Sequence, residues 1–250
     1  FLLVEDAAHA LGARYKVEGQ WYRVGEHPDV DATILSFHPV KHVTTGEGGA
    51  VLVHDAERAA RLRRLRSHGM DPDSALLPFS GEPDGPAQKP LWFNPMLELG
   101  FNYRLSDIQA ALGTSQLKKL PDFLEARREI ALRYLAELRD YVLPVGVGER
   151  ADREHAWHLF VIHCEPGERD ELMLYLRQEG IHTQVHYYPV PLQPWFRGRA
   201  SSQGSSGIFP RAIAHARTAL SLPIFPSLSE EDQARVITAL GEWKRVRAVA

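Results

Sequence analysis

Phe1-Leu2-Leu3-Val4-Glu5-Asp6 decides the fold class. Four consecutive apolar residues leave no polar face for water, so the run reads as a strand buried on both faces inside a parallel sheet. Two carboxylates follow at once. In open α/β sheets ligands bind beyond the carboxyl ends of strands, which makes Asp6 a candidate ligand-facing acid. An acid in this position also serves as a turn or helix cap. The segment has no initiator Met, no basic n-region and no small-residue cleavage site, and a signal peptide would need a longer apolar run, so it is expected to be a strand instead. A sheet rarely opens on so bare a strand, and the chain is expected to be a fragment whose N-terminal portion is missing.

Outward from this strand the texture alternates. Thr33 to Phe37 and Ala50 to Val53 read as strands separated by a polar, Gly-rich stretch. Asp55 is an N-cap candidate for a helix with Glu57 in its first turn and Arg61, Arg63, Arg64 and Arg66 toward its end, stopped by Gly69. That Arg run is either a solvated helix face or an anion site, and the interleaved Leu62 and Leu65 favour the first. Residues 71 to 95, rich in Pro, Gly, Asp and Ser, form a long loop. Ser106-Asp107-Ile108-Gln109 has the Ser-x-x-Gln form of a capping box, and Pro121 sits early in a second helix carrying Leu124, Ile130, Leu135 and Leu138. Beyond Tyr141 come a strand from Trp157 to His163, a helix from Glu168 to Glu179 ended by Gly180, and a strand from Ile181 to Tyr187. A Gly/Ser/Arg loop at 197 to 207 precedes a final helix from Ser229 with Val236, Ile237, Leu240 and Trp243. A domain boundary is placed near residue 125, on the long helix.

Composition removes several classes of function. The 250 residues carry 29 basic and 32 acidic side chains, a formal charge of -3, which argues against binding nucleic acid through bulk electrostatics. Cys164 is the only cysteine, so neither an intrachain disulfide nor a Cys-rich metal site can form. A lone thiol, read as packed in the core, fits a reducing compartment, and a cytoplasmic location is expected. No apolar run reaches about 18 residues, so no helix is expected to span a membrane.

Motif by motif, most chemistry drops out. Thr44-Thr45-Gly46-Glu47-Gly48-Gly49 lacks the Lys-Ser/Thr of a Walker loop, and an apolar strand rather than a helix follows it, which also rules out a dinucleotide fingerprint. There is no Gly-x-Ser-x-Gly elbow. His182 and His186 have a spacing that pairs ligands on a helix, yet their segment reads as strand, and no zinc site is expected. Asp6 and Lys41 remain. Lys41 follows a strand through His38-Pro39-Val40, where proline bars helix and fixes a short irregular segment. A lysine held between apolar strands has its pKa lowered by desolvation, which favours Schiff-base chemistry; alone, it reads as an exposed loop lysine.

Glu5-Asp6-Ala7-Ala8-His9-Ala10, Ser36-Phe37-His38-Pro39-Val40-Lys41 and Thr44 to Gly49 resemble the pyridoxal-phosphate sugar aminotransferases of the DegT/DnrJ/EryC1/StrS family. So do Phe101-Asn102-Tyr103-Arg104-Leu105-Ser106-Asp107-Ile108-Gln109-Ala110-Ala111-Leu112-Gly113 and Leu220-Ser221-Leu222-Pro223. The resemblance covers nearly the whole chain in family order. Ser36 to Lys41, Arg66-Ser67-His68-Gly69 and His186-Tyr187-Tyr188-Pro189 look most like the branch that aminates a UDP-linked sugar in pseudaminic acid biosynthesis. The resemblance implies an α/β type I (aspartate aminotransferase-like) fold. Residues 1–125 would be the C-terminal part of the large cofactor-binding domain, and residues 126–250 a small α+β domain.

The same resemblance implies roles. Lys41 would carry the Schiff base with pyridoxal phosphate and then shuttle a proton. Asp6 would keep the pyridine nitrogen protonated. His9 would lie near the ring, Ser36 would donate to the cofactor phosphate, and Asn102 would reach the phosphate in the neighbouring subunit of a homodimer. His38 and His186 are candidates for the substrate side. The reaction implied is amino transfer from glutamate to a 4-keto-6-deoxy nucleotide sugar. Dehydratases on the same scaffold replace the Schiff-base lysine with histidine, so Lys41 argues against that activity; a non-catalytic dimerisation fragment is the other alternative. Relatives carry roughly a further domain before the position of Phe1, including the phosphate-gripping turn and a ring-stacking aromatic. The chain by itself is therefore expected to bind pyridoxal phosphate weakly or not at all. Pro191 stands where relatives commonly place a histidine, a departure on the substrate side.

Overall fold

A computed structural model describes residues 1–79, 85–139, 141, 150–197 and 209–249. In chain order its elements are strands β1 (Val4–Asp6), β2 (Arg14–Val17), β3 (Gln20–Arg23), β4 (Ala32–Ser36) and β5 (Gly49–Leu52), followed by helices α1 (Ala56–Leu65), α2 (Asp107–Lys118) and α3 (Leu120–Glu137). Then come β6 (Arg153–Glu154), β7 (Phe160–His163), α4 (Arg169–Gln178), a short 3-10 turn (Val190–Leu192), α5 (Pro194–Arg197), α6 (Pro210–Thr218), β8 (Ala219–Leu222) and α7 (Glu230–Val249). The chain divides into two compact units, Phe1–Leu11 with Tyr22–Lys118, and Gly12–Trp21 with Lys119–Ala250. The long helix α3 thus runs across residue 125, and the division falls between α2 and α3.

The first unit is built on a sheet of order β1-β4-β5. β1 and β4 are parallel, with Asp6 opposite Ile34, and β5 returns antiparallel, with Gly49 opposite Ser36. The reading of Phe1 to Val4 as a strand buried on both faces is corrected here. Within this chain β1 is the edge strand, and Phe1, Leu2, Leu3 and Val4 are all exposed. Its ties are local: Leu3 N–H donates to the Asp31 carboxylate at 2.8 Å, and Glu5 accepts from Gly25 N–H and from the Thr33 hydroxyl, both at 2.8 Å. β4 buries one face only, through Thr33 and Leu35, while Ile34 between them faces outward.

Helix α1 begins as its sequence demands. The Asp55 side chain accepts the Arg58 N–H at 2.6 Å, an N-cap of the kind that contributes about 1 kcal/mol. At the other end Gly69 takes φ +71 and its N–H returns to Arg64 O; a Cβ there would collide with Glu98 O. Two members of the Arg run pair with carboxylates, Arg61 with Glu98 at 3.0 Å and Arg64 with both Asp71 and Glu98 at 3.6 Å, and Arg58 ahead of the run pairs with Asp31 at 2.9 Å. Residues 71 to 95 contain no helix or strand among the described residues, and 80–84 lie outside them.

The second unit holds the larger core. Ile130, Ala131 and Tyr134 form one stripe of α3, continued by its C-cap Leu138, Leu172 and Leu176 one of α4, and Val236, Ala239 and Leu240 one of α7. They close over the antiparallel pair β7 and β8, where Phe160 faces Leu222 and Ile162 faces Leu220. Cys164 is buried in this core, as a packed thiol should be, and burial pushes its pKa up to about 11. β2 pairs with β6, and the β2–β3 turn places Glu18 at φ 48 and Gly19 at φ 88, the two positive values of a type I′ hairpin. The helix expected from Glu168 to Glu179 is present as α4, with Gly180 at φ 75 behind it. The strand expected from Ile181 to Tyr187 is not. That segment touches β8 at one bridge, Gln184 to Ser221, after which the His186 ring takes up the Ser221 hydroxyl at 2.8 Å in place of a ladder bond. The loop expected at 197 to 207 lies almost wholly outside the described residues. No helix among the described residues is long and apolar enough to cross a membrane.

One buried cation ties this core together. Arg127, 4% exposed, donates from one guanidinium nitrogen to the carbonyls of Trp157 (3.1 Å), His158 (3.3 Å) and Ile224 (3.0 Å). Burial lowers its pKa to about 10, so it stays charged at neutral pH. Arg127→Met keeps the stem and orphans three carbonyls, and it should lower the unfolding free energy by about 3 kcal/mol, read as a fall in the urea midpoint by tryptophan fluorescence.

Candidate active site

β1 and β4 run parallel, so their carboxyl ends lie at one sheet edge, and Asp6 and Ser36 are the last residues of those two strands. The segment from Phe37 to Gly48 leaves β4 at this edge and returns to it as β5. It is a closed structure. Phe37 N–H donates to Gly48 O at 2.9 Å, Thr45 N–H to Phe37 O at 3.0 Å, and the Thr44 hydroxyl to Phe37 O at 3.2 Å. Inside it, Lys41 N–H donates to His38 O at 3.0 Å, and His42 and Val43 are buried, 3% and 1% exposed. Two buried residues directly after Lys41 fix where its side chain starts.

The Lys41 ammonium has its pKa lowered, first by burial, while the Asp6 carboxylate acts in the opposite sense and holds it up. The Asp6 carboxylate is therefore near enough for its charge to act on the Lys41 amine. Asp6 also accepts the Ala8 N–H at 3.2 Å, which is the turn-cap role open to an acid at a strand end. The Ser36 hydroxyl accepts the His38 N–H at 3.4 Å, which occupies a lone pair and leaves the O–H as a donor. His38 itself is half-exposed, 4.0 Å from the Glu47 carboxylate. His9 is exposed in the turn after β1.

Asn102 lies on an extended segment pinned to the end of α1: Phe101 N–H donates to Leu65 O, Tyr103 N–H to Arg66 O, and His68 N–H to Phe101 O. Asn102 is exposed on it, flanked by the stacked rings of Phe101 and Tyr103 at 4.8 Å. Asp6, His9, Ser36, His38, Lys41 and Asn102 all belong to the first unit, whereas His186 belongs to the second, where it binds Ser221. Two groups went unnoticed in the sequence. The Thr45 hydroxyl, in a side chain 3% exposed, donates to Glu47 O at 2.7 Å, and the Gln109 amide donates to the same oxygen at 2.9 Å. The capping-box pattern around Gln109 was legible, but its second bond depends on tertiary placement.

The sequence model of the DegT/DnrJ/EryC1/StrS aminotransferase family matches residues 1–241. This chain belongs to that family. Solved structures agree with the assignment. A putative sugar aminotransferase, Spr1654 from Streptococcus pneumoniae in its PMP-form, superposes with a TM-score of 0.81 at 26% identity, over 99% of this chain and 58% of that one. DesV from S. venezuelae, in complex with a ketimine intermediate, gives 0.77 at 37% identity over 97% and 58%. PseC from Helicobacter pylori, an aminotransferase of pseudaminic acid biosynthesis, gives 0.78 at 26% identity over 96% and 58%. The mixed α/β architecture is thus that of the sugar aminotransferases, and the chain spans about 58% of the length of these structures.

Because Asp6 raises the Lys41 pKa, neutralising the acid should lower it further and increase the free-amine fraction at a given pH. Asp6→Asn, which keeps an oxygen for the Ala8 N–H, should make Lys41 react with acetic anhydride on the order of two- to fivefold faster at pH 8, read by peptide mass mapping. An unchanged rate would place Asp6 outside the lysine's field.

Proposed function

We propose that the protein is a pyridoxal-phosphate-dependent aminotransferase that transfers an amino group from glutamate to a 4-keto-6-deoxy nucleotide sugar. The observation that carries this reading is the partly desolvated Lys41 amine in the field of Asp6, at the carboxyl edge of the parallel pair. The residues present fit the cofactor: an amine, a carboxylate and a hydroxyl donor all rise from one sheet edge. When bound, pyridoxal phosphate supplies a carbonyl that accepts amino groups and a ring that takes up electron density.

The chain's own residues supply the rest. The lowered pKa of Lys41 increases its neutral fraction near neutral pH, so it can attack a carbonyl and afterwards carry a proton to and from the reacting carbon. Asp6 would hold a proton at the ring nitrogen by charge. The Ser36 hydroxyl would donate to the phosphate, and His9 would serve the ring. Asn102 would serve the phosphate site of a partner subunit in a homodimer, and His38 and His186 are the candidates for the substrate side. In this reading residues 1–125 are the C-terminal part of the cofactor-binding domain, residues 126–250 form the small domain, and the protein works in the cytoplasm.

For the acceptor we favour a UDP-linked sugar of the pseudaminic acid pathway. The motifs at Ser36 to Lys41, Arg66 to Gly69 and His186 to Pro189 support it, as does the likeness to PseC. Pro191 weakens the parallel on the sugar side, because its side chain offers no hydrogen bond. The product of the whole reading frame, given glutamate and a panel of UDP-, dTDP- and GDP-linked keto-sugars, should aminate the UDP sugars and show a near-visible absorbance band. Lys41→Ala should abolish both band and turnover; full turnover by that variant would sink the proposal.

A further inference from the structure

The Gln109 side chain makes bonds at both of its ends. Its Oε1 accepts from the Ser106 backbone N–H at 3.1 Å and from the Ser106 hydroxyl at 3.0 Å, while Ser106 Oγ accepts the Gln109 N–H at 3.3 Å. This is the reciprocal capping box at the start of α2. A backbone N–H can only donate, so the oxygen end of the amide must face Ser106. The nitrogen end therefore faces Glu47 O, which can only accept, at 2.9 Å. The amide orientation is fixed by both neighbours.

Glu47 O lies in the turn that closes the Lys41 segment, and it also takes the Thr45 hydroxyl at 2.7 Å. The same turn is packed against α2 and the residue before its cap. A Cβ added to Gly113 of α2 would meet Thr45 Cγ2 at 2.8 Å, and one added to Gly48 would meet Leu105 Cδ1 at 3.0 Å. Thr45 and Gly48 in turn bind Phe37 O and N–H, the bonds that close the segment around Lys41.

We propose that Gln109 is a positioning residue for Lys41: its amide clamps the Thr44–Gly49 turn to the start of α2 and thereby fixes the base of the lysine-bearing segment. Its consequence for catalysis rests on Lys41 being the reactive amine; the clamp itself does not. The burial that lowers the Lys41 pKa is the property the clamp preserves.

Glutamate in place of glutamine separates the two bonds, because a carboxylate still accepts from Ser106 but has no donor for Glu47 O. In Gln109→Glu, measured without cofactor, helix α2 should keep its amide-exchange protection while residues 44–49 exchange about five- to tenfold faster, the loss of one hydrogen bond. Gln109→Met, which adds no charge, should loosen the same turn. In both variants the pH at which Lys41 is half-labelled by acetic anhydride should rise toward that of an ordinary lysine, with Gln109→Glu read at high salt to screen its added charge. Unchanged exchange at 44–49 in Gln109→Glu overturns the clamp, and a loosened turn with an unchanged Lys41 profile overturns the positioning role. Neither readout needs bound cofactor or turnover, so a failure of the aminotransferase reading shows itself separately, as activity retained by Lys41→Ala.

Discussion

The candidate site depends on a single constraint, a lysine amine kept partly out of water beside a carboxylate. Burial and charge act against each other on Lys41. Desolvation favours the neutral amine, and Asp6 favours the ammonium, with desolvation the larger. The fold creates this balance with few residues. Parallel pairing of β1 with β4 brings Asp6 and Ser36 to one edge, and the buried pair His42 and Val43 seats the segment that carries the lysine. Shifting β1 by one residue against β4 would turn Asp6 to the opposite face of the sheet. The register Asp6 to Ile34 is thus as much a part of the site as the side chains.

The two units divide the work of stability and chemistry unevenly. Six of the seven site residues considered come from the first unit, whose buried side chains are few and whose apolar residues at β1 and along α2 are largely exposed. The second unit holds the larger apolar core, with Arg127 and Tyr134 satisfying carbonyls that the β7–β8 pair and its flanking turns leave open. Only His186 comes from that unit, held through Ser221 on a strand buried at every residue. The Tyr134 hydroxyl and one Arg127 guanidinium nitrogen are matched to carbonyls, since an unmatched polar group in an apolar core would cost on the order of 1–3 kcal/mol.

Where local chemistry decides structure, the sequence was readable. Asp55, the Ser106–Gln109 box, Pro121 and Gly180 each act within a few residues, and each does what its side chain or backbone predicts. The misreadings are tertiary. Four apolar residues at Phe1 to Val4 look buried by composition, but burial needs a covering layer, and this chain places them on an edge. Ile181 to Tyr187 has strand-like residues, yet whether they ladder depends on β8, which meets them at one bridge. β8 itself, Ala219–Leu222, was legible only as a family motif, because four buried residues show no alternation. The hairpin around Glu18-Gly19 carried a local signal, a two-residue turn ending in glycine between β-rich runs, that the reading passed over. The place of Asp6 at a strand end, where α/β folds bind ligands, was legible; the Gln109 bond to Glu47 O was not, since it joins distant parts of the chain.

The most direct test of the central claim is chemical. The product of the whole reading frame, incubated with pyridoxal phosphate, reduced with borohydride and mapped by mass spectrometry, should carry the reduced adduct on Lys41 alone. An adduct on another lysine, or none on a protein that still turns over keto-sugar and glutamate, would contradict the account.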